Sequence, residues 1–203
     1  MDARATLIYL LRHGEVMGAQ TRRFIGHLDV ALSPRGESQS RIQAARLGQV
    51  PLTAIYTSDL SRARVTGTII GAAHGLVPTV VPALREMDMG RWDGLTGAEI
   101  AEREPQAFEK WMAQIGEFPF PGGESVPDLV ARVWPAVAAI VTKHHAQSIA
   151  IVAHGGTNRA ILCRALGLPL ARLLAFGQDY AALTVLETID GAWRLRVLNE
   201  QPD

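Results

Sequence analysis

The 203 residues suffice to bury one large core, and the 48% hydrophobic and 20% charged fractions exclude a disordered chain. Twenty Lys plus Arg balance twenty Asp plus Glu, so no global field draws the chain onto nucleic acid or an anionic membrane, and any anion site must be local. The single cysteine, Cys163, excludes an internal disulfide and a multi-cysteine metal cluster, and fits a reducing, cytoplasmic location.

Residues 5–11 are rich in Leu, Ile and Tyr without alternation, the pattern of a strand buried on both faces of a parallel sheet. The run is too short for a membrane span and lacks the leading positive cluster of a signal peptide. Ser33 before Pro34 reads as a helix N-cap with proline in the first turn; the helix should reach about Leu47 and end near Gly48. A short strand is predicted over 54–56. Ser58 and Asp59 should open a helix carrying Arg62 and Arg64 towards Gly71, with Asp59 in its first turn. Another strand is predicted over 77–81.

Between Glu86 and Gly123 the pattern weakens into short helical pieces containing Trp92, Phe108, Trp111, Phe118 and Phe120, an excursion from the sheet. Ser125 and Asp128 form a capping box, and Leu129, Val133, Val137 and Ile140 mark one face of the helix behind it, which should end by His145. Residues 148–153 are again a buried strand, running into His154-Gly155-Gly156, with a helix over 158–166 stopped by Gly167. The tail alternates about Asp190-Gly191, a hairpin signal. Strands alternating with helices predict one domain over 1–203: an α/β fold, a three-layer α/β/α sandwich with a mostly parallel central sheet and antiparallel edge strands from the tail.

His13 and His154 each follow a predicted strand and precede glycine, so both imidazoles should project from one rim of the sheet, where the carboxyl ends of parallel strands carry active groups. Either histidine alone reads as structural; the matched pair does not. Arg12 and Arg62 would present guanidinium forks at the same rim, able to neutralise a phosphoryl group in transfer, although Arg62 also reads as a surface helix residue. The positive charge is almost all arginine, only Lys110 and Lys143 being lysines; a bias in genome composition explains this as easily as phosphate binding. Glu86, just after a strand and beside apolar Met87 and Met89, is the candidate acid for the departing alkoxide, or else a solvated partner of Arg85. Gly14 and Gly155 would let the backbone approach the phosphate, with the Gly155 amide as donor. The other histidines, His27, His74, His144 and His145, show no ligand spacing, and nothing calls for a metal or another cofactor.

The string Leu11-Arg12-His13-Gly14-Glu15 resembles the signature of the histidine phosphatase superfamily, also called the phosphoglycerate mutase-like family. Six further blocks arrive in the family's order: Gly26 with Asp29 and Leu32, Thr57-Ser58-Asp59-Leu60 with Arg62-Ala63, Leu84-Arg85-Glu86, Gly90 with Trp92 and Gly94, Gly122-Gly123-Glu124-Ser125, and His154-Gly155-Gly156. Ordered blocks over nearly the whole chain are far more specific than an isolated Arg-His-Gly. The resemblance implies a phosphoglycerate mutase-like fold, a transient phosphohistidine at His13, a phosphate enclosed by Arg12, Arg62 and His154, and Glu86 as proton donor that later activates water. The sequence departs from the pattern after Glu15, where Val16 and Ala19 replace a small hydroxyl residue and an asparagine; Gln20, one residue on, is the stand-in expected to reach the phosphate.

The substrate expected is a small phosphomonoester. A phosphoglycerate mutase would add basic residues that this chain lacks; its excursion over 86–123 instead offers Met87, Met89 and Trp92 as a pocket for an apolar leaving group, unless these merely pack. The tail, with Phe176, Gln178-Asp179-Tyr180 and the closing residues 194–199, is similar to that of α-ribazole phosphatases of cobalamin synthesis, which puts α-ribazole 5'-phosphate first among named substrates. Broad-specificity or sugar-phosphate phosphatases and a binding module that has lost catalysis are the alternatives. A hairpin at a sheet edge could support a homodimer.

Overall fold

The computed structural model describes residues 5–202. The two apolar runs become strands β1 (Thr6–Arg12) and β4 (Ser148–Ala153), which lie side by side and parallel at the centre of the sheet. Strand β2 (Leu52–Thr57) flanks β4 and is followed by the two-residue edge strand β3 (Thr79–Val80), both parallel to it. On the other side β5 (Leu183–Ile189) and β6 (Ala192–Glu200) form an antiparallel hairpin, giving the order β3-β2-β4-β1-β5-β6 among the described residues. Asp190 and Gly191 turn that hairpin at φ 50° and 82°, the conformation that Asp-Gly tolerates best.

Helices cover both faces. Helices α1 (Pro34–Leu47) and α2 (Ser61–Ala72) bury Ala44, Leu47, Ala63 and Ile70 against Leu11, Ile55, Ala150 and Val152. Helices α5 (Val126–Lys143) and α6 (Gly155–Leu166) pack with Ile8, Leu10, Ile149 and Ile151 on the opposite face. Consecutive β4 residues therefore serve different layers, which is why the strand carries no polar alternation. Ser33 caps α1 through the Gly36 amide, and the Ser125–Asp128 box caps α5, whose Leu129, Val133, Val137 and Ile140 are all buried.

Two helix starts differ from expectation. Helix α2 begins at Ser61 and takes its cap from across the fold: Asp29 Oδ1 accepts from the Ser61 amide at 2.8 Å and from its hydroxyl at 2.7 Å. Asp59 lies outside the helix, in a two-pronged ion pair with Arg85. Helix α6 begins at Gly155 instead of Asn158, because a carboxylate from another segment satisfies its first amides, as described below.

The excursion over 86–123 contains helices α3 (Gly97–Arg103) and α4 (Pro105–Ala113). Trp92 anchors it, fully buried, stacked on Phe118 and edge-on to Phe120 at 5.5 Å in each case. No helix of the described residues is long and apolar enough to cross a membrane.

Candidate active site

Parallel pairing of β1 with β4 sets Arg12 opposite Ala153, so the next residue on each strand, His13 and His154, emerges at one rim. The ring centroids are 5.1 Å apart, and the His13 amide still bonds to Ala153 O. His13 Nδ1 lies 2.7 Å from Gly14 O; a carbonyl only accepts, so Nδ1 holds the proton and Nε2 keeps its lone pair. Burial first, and then the charges of Arg12 and Arg62, hold the His13 pKa well below its usual 6.5, so the ring is neutral. His154 is likewise depressed, by burial and then by His13, Arg62 and Arg12; its Nε2 meets Ser58 Oγ at 2.7 Å while Nδ1 is buried without a partner.

Gly14 is required by packing: a Cβ there would stand 2.3 Å from Gly36 O, where α1 crosses the end of β1. That crossing fixes the turn carrying His13.

Arg62 is no surface residue. It is 1% exposed, and its two terminal nitrogens donate to Leu28 O and Gly26 O at 2.8 and 2.7 Å, leaving Nε buried and unpaired. Arg64, two residues on, is exposed. Arg12 donates to Gln178 O and lays its guanidinium 3.8 Å above the Tyr180 ring, again with Nε unpaired. Two buried guanidinium edges without acceptors, beside two neutral imidazoles, form a receptacle for an anion.

Glu86 is 7% exposed and faces the first turn of α6: its oxygens accept from the amides of Gly156 at 2.9 Å, Thr157 at 3.0 Å and Met87 at 2.9 Å. Arg85, the partner expected for a merely solvated Glu86, is turned away to Asp59. Arg132 anchors the loop from outside, donating to Ala83 O, Arg85 O and Glu86 O while gripping Glu124 with two nitrogens at 2.7 Å.

A cavity of about 310 Å³ opens over these groups, lined by Arg12, His13, Arg62, Glu86, Gly155, Met87 and Met89 among others. Three expected members are not in its wall: His154, fully buried against the His13 ring, and two others. Trp92 is wholly committed to the aromatic core, its ring enclosed by Phe118, Phe120 and Phe24. Gln20 is exposed on the short 3-10 turn Ala19–Thr21, whose flanking left-handed residues, Gly18 at φ 72° and Arg22 at φ 48°, swing the chain so that Arg22 faces the cavity instead. Sequence reasoning passed over Ser58, Thr157, Tyr180, Arg159 and His27, the last with Nε2 at 3.0 Å from Glu86 O. No periodicity marks these residues, and only the strand order brings them to the rim. Among the described residues no cluster of three or more His, Cys, Asp or Glu side chains could hold a metal ion.

Such a rim, on a mixed sheet with helices on both sides, defines an α/β enzyme acting on phosphoric monoesters. The chain matches the Histidine phosphatase superfamily (branch 1) over residues 8–201 and belongs to that family. It is 32% identical over 179 residues to phosphoserine phosphatase 1 of Hydrogenobacter thermophilus, covering 88% of this chain and 85% of the relative. It is 36% identical over 182 residues to glucosyl-3-phosphoglycerate phosphatase of Mycobacterium tuberculosis, covering 86% and 81%. The solved α-ribazole phosphatase of Shigella flexneri superposes with a TM-score of 0.88 at 25% identity, covering 96% of each chain. Hydrolysis of a phosphoric monoester is thus the activity of this protein's class.

Proposed function

We propose that this protein hydrolyses a small phosphomonoester through a phosphohistidine at His13. In the first step Nε2 attacks phosphorus in line, the P–O bond to the alcohol breaks, and Glu86 gives its proton to the departing oxygen. In the second, water attacks the phosphohistidine, Glu86 takes the water proton, and phosphate leaves with Nε2 restored. Arg12 and Arg62 face the transferring group, His154 stands beside the His13 ring, and the Gly155 backbone lines the same space. The reading rests on one observation: the His13 ring is neutral, with Nδ1 tied to Gly14 O, so the remaining nitrogen is a competent nucleophile.

Two groups of named substrates have support. The tail segment and the likeness to the Shigella enzyme favour α-ribazole 5'-phosphate; the names of the two curated relatives favour phosphorylated small acids. Phosphate release from α-ribazole 5'-phosphate, phosphoserine, 3-phosphoglycerate and an aryl phosphate ranks them. Rapid quench during turnover is expected to trap an acid-labile, alkali-stable phosphoenzyme that is absent in His13→Ala. A label that persists in His13→Ala refutes the nucleophile, and isomerised 3-phosphoglycerate without free phosphate makes the protein a mutase.

A further inference from the structure

A third strand ends at the rim of β1 and β4, and the residue that follows it has no part in the mechanism above. Parallel pairing sets Thr57, the last residue of β2, opposite Val152, so Ser58 leaves the sheet where His154 follows Ala153. The sequence reads Ser58 as the opening of α2, but that helix starts at Ser61 and takes its cap from Asp29. Its hydroxyl is therefore free for other use. Ser58 and His154 are both 0% exposed, and Ser58 Oγ lies 2.7 Å from His154 Nε2.

The remaining hydrogen bonds decide which of the two atoms donates. Ser58 Oγ accepts from the Leu60 amide at 3.3 Å, and its own hydrogen finds one acceptor among the described residues, the lone pair of Nε2. The reverse arrangement, with an Nε2 proton donated to Oγ, strands the hydroxyl hydrogen in a site closed to water, which is the costlier choice. The His154 ring is neutral, because burial and then the charges of His13, Arg62 and Arg12 hold its pKa well below 6.5. With Nε2 bare, the one ring proton sits on Nδ1, and Nδ1 is buried without a partner.

The two imidazoles thus carry the same tautomer to opposite ends. His13 commits its Nδ1 proton to Gly14 O, which frees Nε2 to attack. His154 commits Nε2 to Ser58, which leaves its Nδ1 proton unused. A buried donor without an acceptor calls for an explanation. The His154 ring packs on the His13 ring at 5.1 Å, so a phosphoryl group carried by His13 brings oxygens to its neighbourhood.

We propose that Ser58 is a positioning residue: its hydroxyl, donated to Nε2, holds His154 as the Nδ1-protonated tautomer and keeps that proton ready for an oxygen of the phosphoryl group on His13. The proposal rests on the phosphohistidine reading above and adds to it a residue that touches no substrate. Ser58 acts only through His154, by denying the ring its other tautomer before the phosphoryl group arrives. The donor is then in place without rearrangement at the moment of transfer.

The ring tautomer tests this in the ligand-free protein. A long-range proton–nitrogen correlation spectrum of the 15N-labelled protein near neutral pH, with His154 assigned by its loss in His154→Gln, is expected to show a protonated Nδ1 and a bare Nε2. In Ser58→Ala the ring should pass wholly or partly to the Nε2-protonated form, and Ser58→Thr, which keeps the hydroxyl, should retain the wild-type ring. Orthovanadate, which takes the shape of a transferring phosphoryl group, should bind Ser58→Ala about five- to fiftyfold more weakly than the wild type, with kcat/KM on an aryl phosphate falling by a like factor. A general loss of packing would not change the tautomer. If Ser58→Ala does not fold, Ser58→Cys, a weak donor of similar volume, takes its place under the same criteria. An Nε2-protonated ring in the wild type, or a Ser58 variant lacking the hydroxyl whose tautomer or vanadate affinity matches the wild type, overturns the proposal. If no ester is turned over, the phosphohistidine reading fails separately; tautomer and vanadate affinity need no turnover and still decide the role of Ser58.

Discussion

In the proposed mechanism Glu86 is the residue on which the two half-reactions turn. Three amides hold its oxygens, two of them from the first turn of α6, so the carboxyl is fixed against the helix that follows His154. An alkoxide needs a proton in order to leave, whereas an acidic phenol does not. Glu86→Gln is therefore expected to lower kcat on an alkyl ester such as glycerol 3-phosphate by about 10²- to 10⁴-fold, and to lower formation of the phosphoenzyme from an aryl phosphate far less. Equal losses on both esters in single-turnover kinetics would show that Glu86 only shapes the site. At this scale the sequence separated residue types better than positions. It placed Arg12 and His13 at a strand end, set Glu86 directly after a strand where a 3-10 turn, Pro82–Leu84, in fact intervenes, and could not tell buried Arg62 from exposed Arg64, because their contrast depends on the carbonyls of Gly26 and Leu28 arriving from a distant loop. Trp92 and Gln20 went astray for the same reason: neither a ring's burial nor the direction of a left-handed turn is written in spacing.

Among the elements, the start of α2 decides how firmly Arg62 is held, since Arg62 sits in its first turn. The helix is capped from a loop 32 residues upstream, with Asp29 satisfying both the amide and the hydroxyl of Ser61. Removing that cap in Asp29→Ala should cost about 0.5–2 kcal/mol in urea unfolding. It should also raise KM, because the same loop carries the carbonyls that orient Arg62. Asp59→Ala, which breaks a partly exposed ion pair with Arg85, should cost at most about 1 kcal/mol. If the Asp59 variant proves the more damaging, the local capping read from the sequence is correct and the distant one is not. Helices α1 and α5 show the opposite case: their caps, Ser33 and the Ser125–Asp128 box, are local, and their starts were legible from a few neighbouring residues.

For the molecule as a whole, two buried neutral imidazoles make stability depend on pH. In the folded state His13 and His154 both titrate well below 6.5, burial being the largest cause in each case. Below about pH 6.5 the unfolded chain binds protons that the folded chain refuses, so the free energy of unfolding falls on acidification until the folded pKa is reached. Each imidazole contributes up to about 1.4 kcal/mol per pH unit over that window, and neither contributes a slope above it. The urea midpoint should therefore drop from pH 7 to pH 5, and His154→Gln should shallow that drop. A midpoint unchanged between those pH values would mean that the pair is not held neutral by the fold.

The sequence by itself determined the family and the layer architecture, because strand and helix periodicity, local caps and the Arg-His-Gly and His-Gly-Gly strand ends are short-range patterns. It also determined that two histidines share a rim, since both follow parallel strands of one sheet. Only the tertiary structure decided that β1 and β4 are neighbours, that Arg62 is buried while Trp92 is withdrawn into the core, and that Arg22 and Arg159 join the cavity wall. Those outcomes follow from strand order and from hydrogen bonds between segments tens of residues apart, which no local pattern encodes.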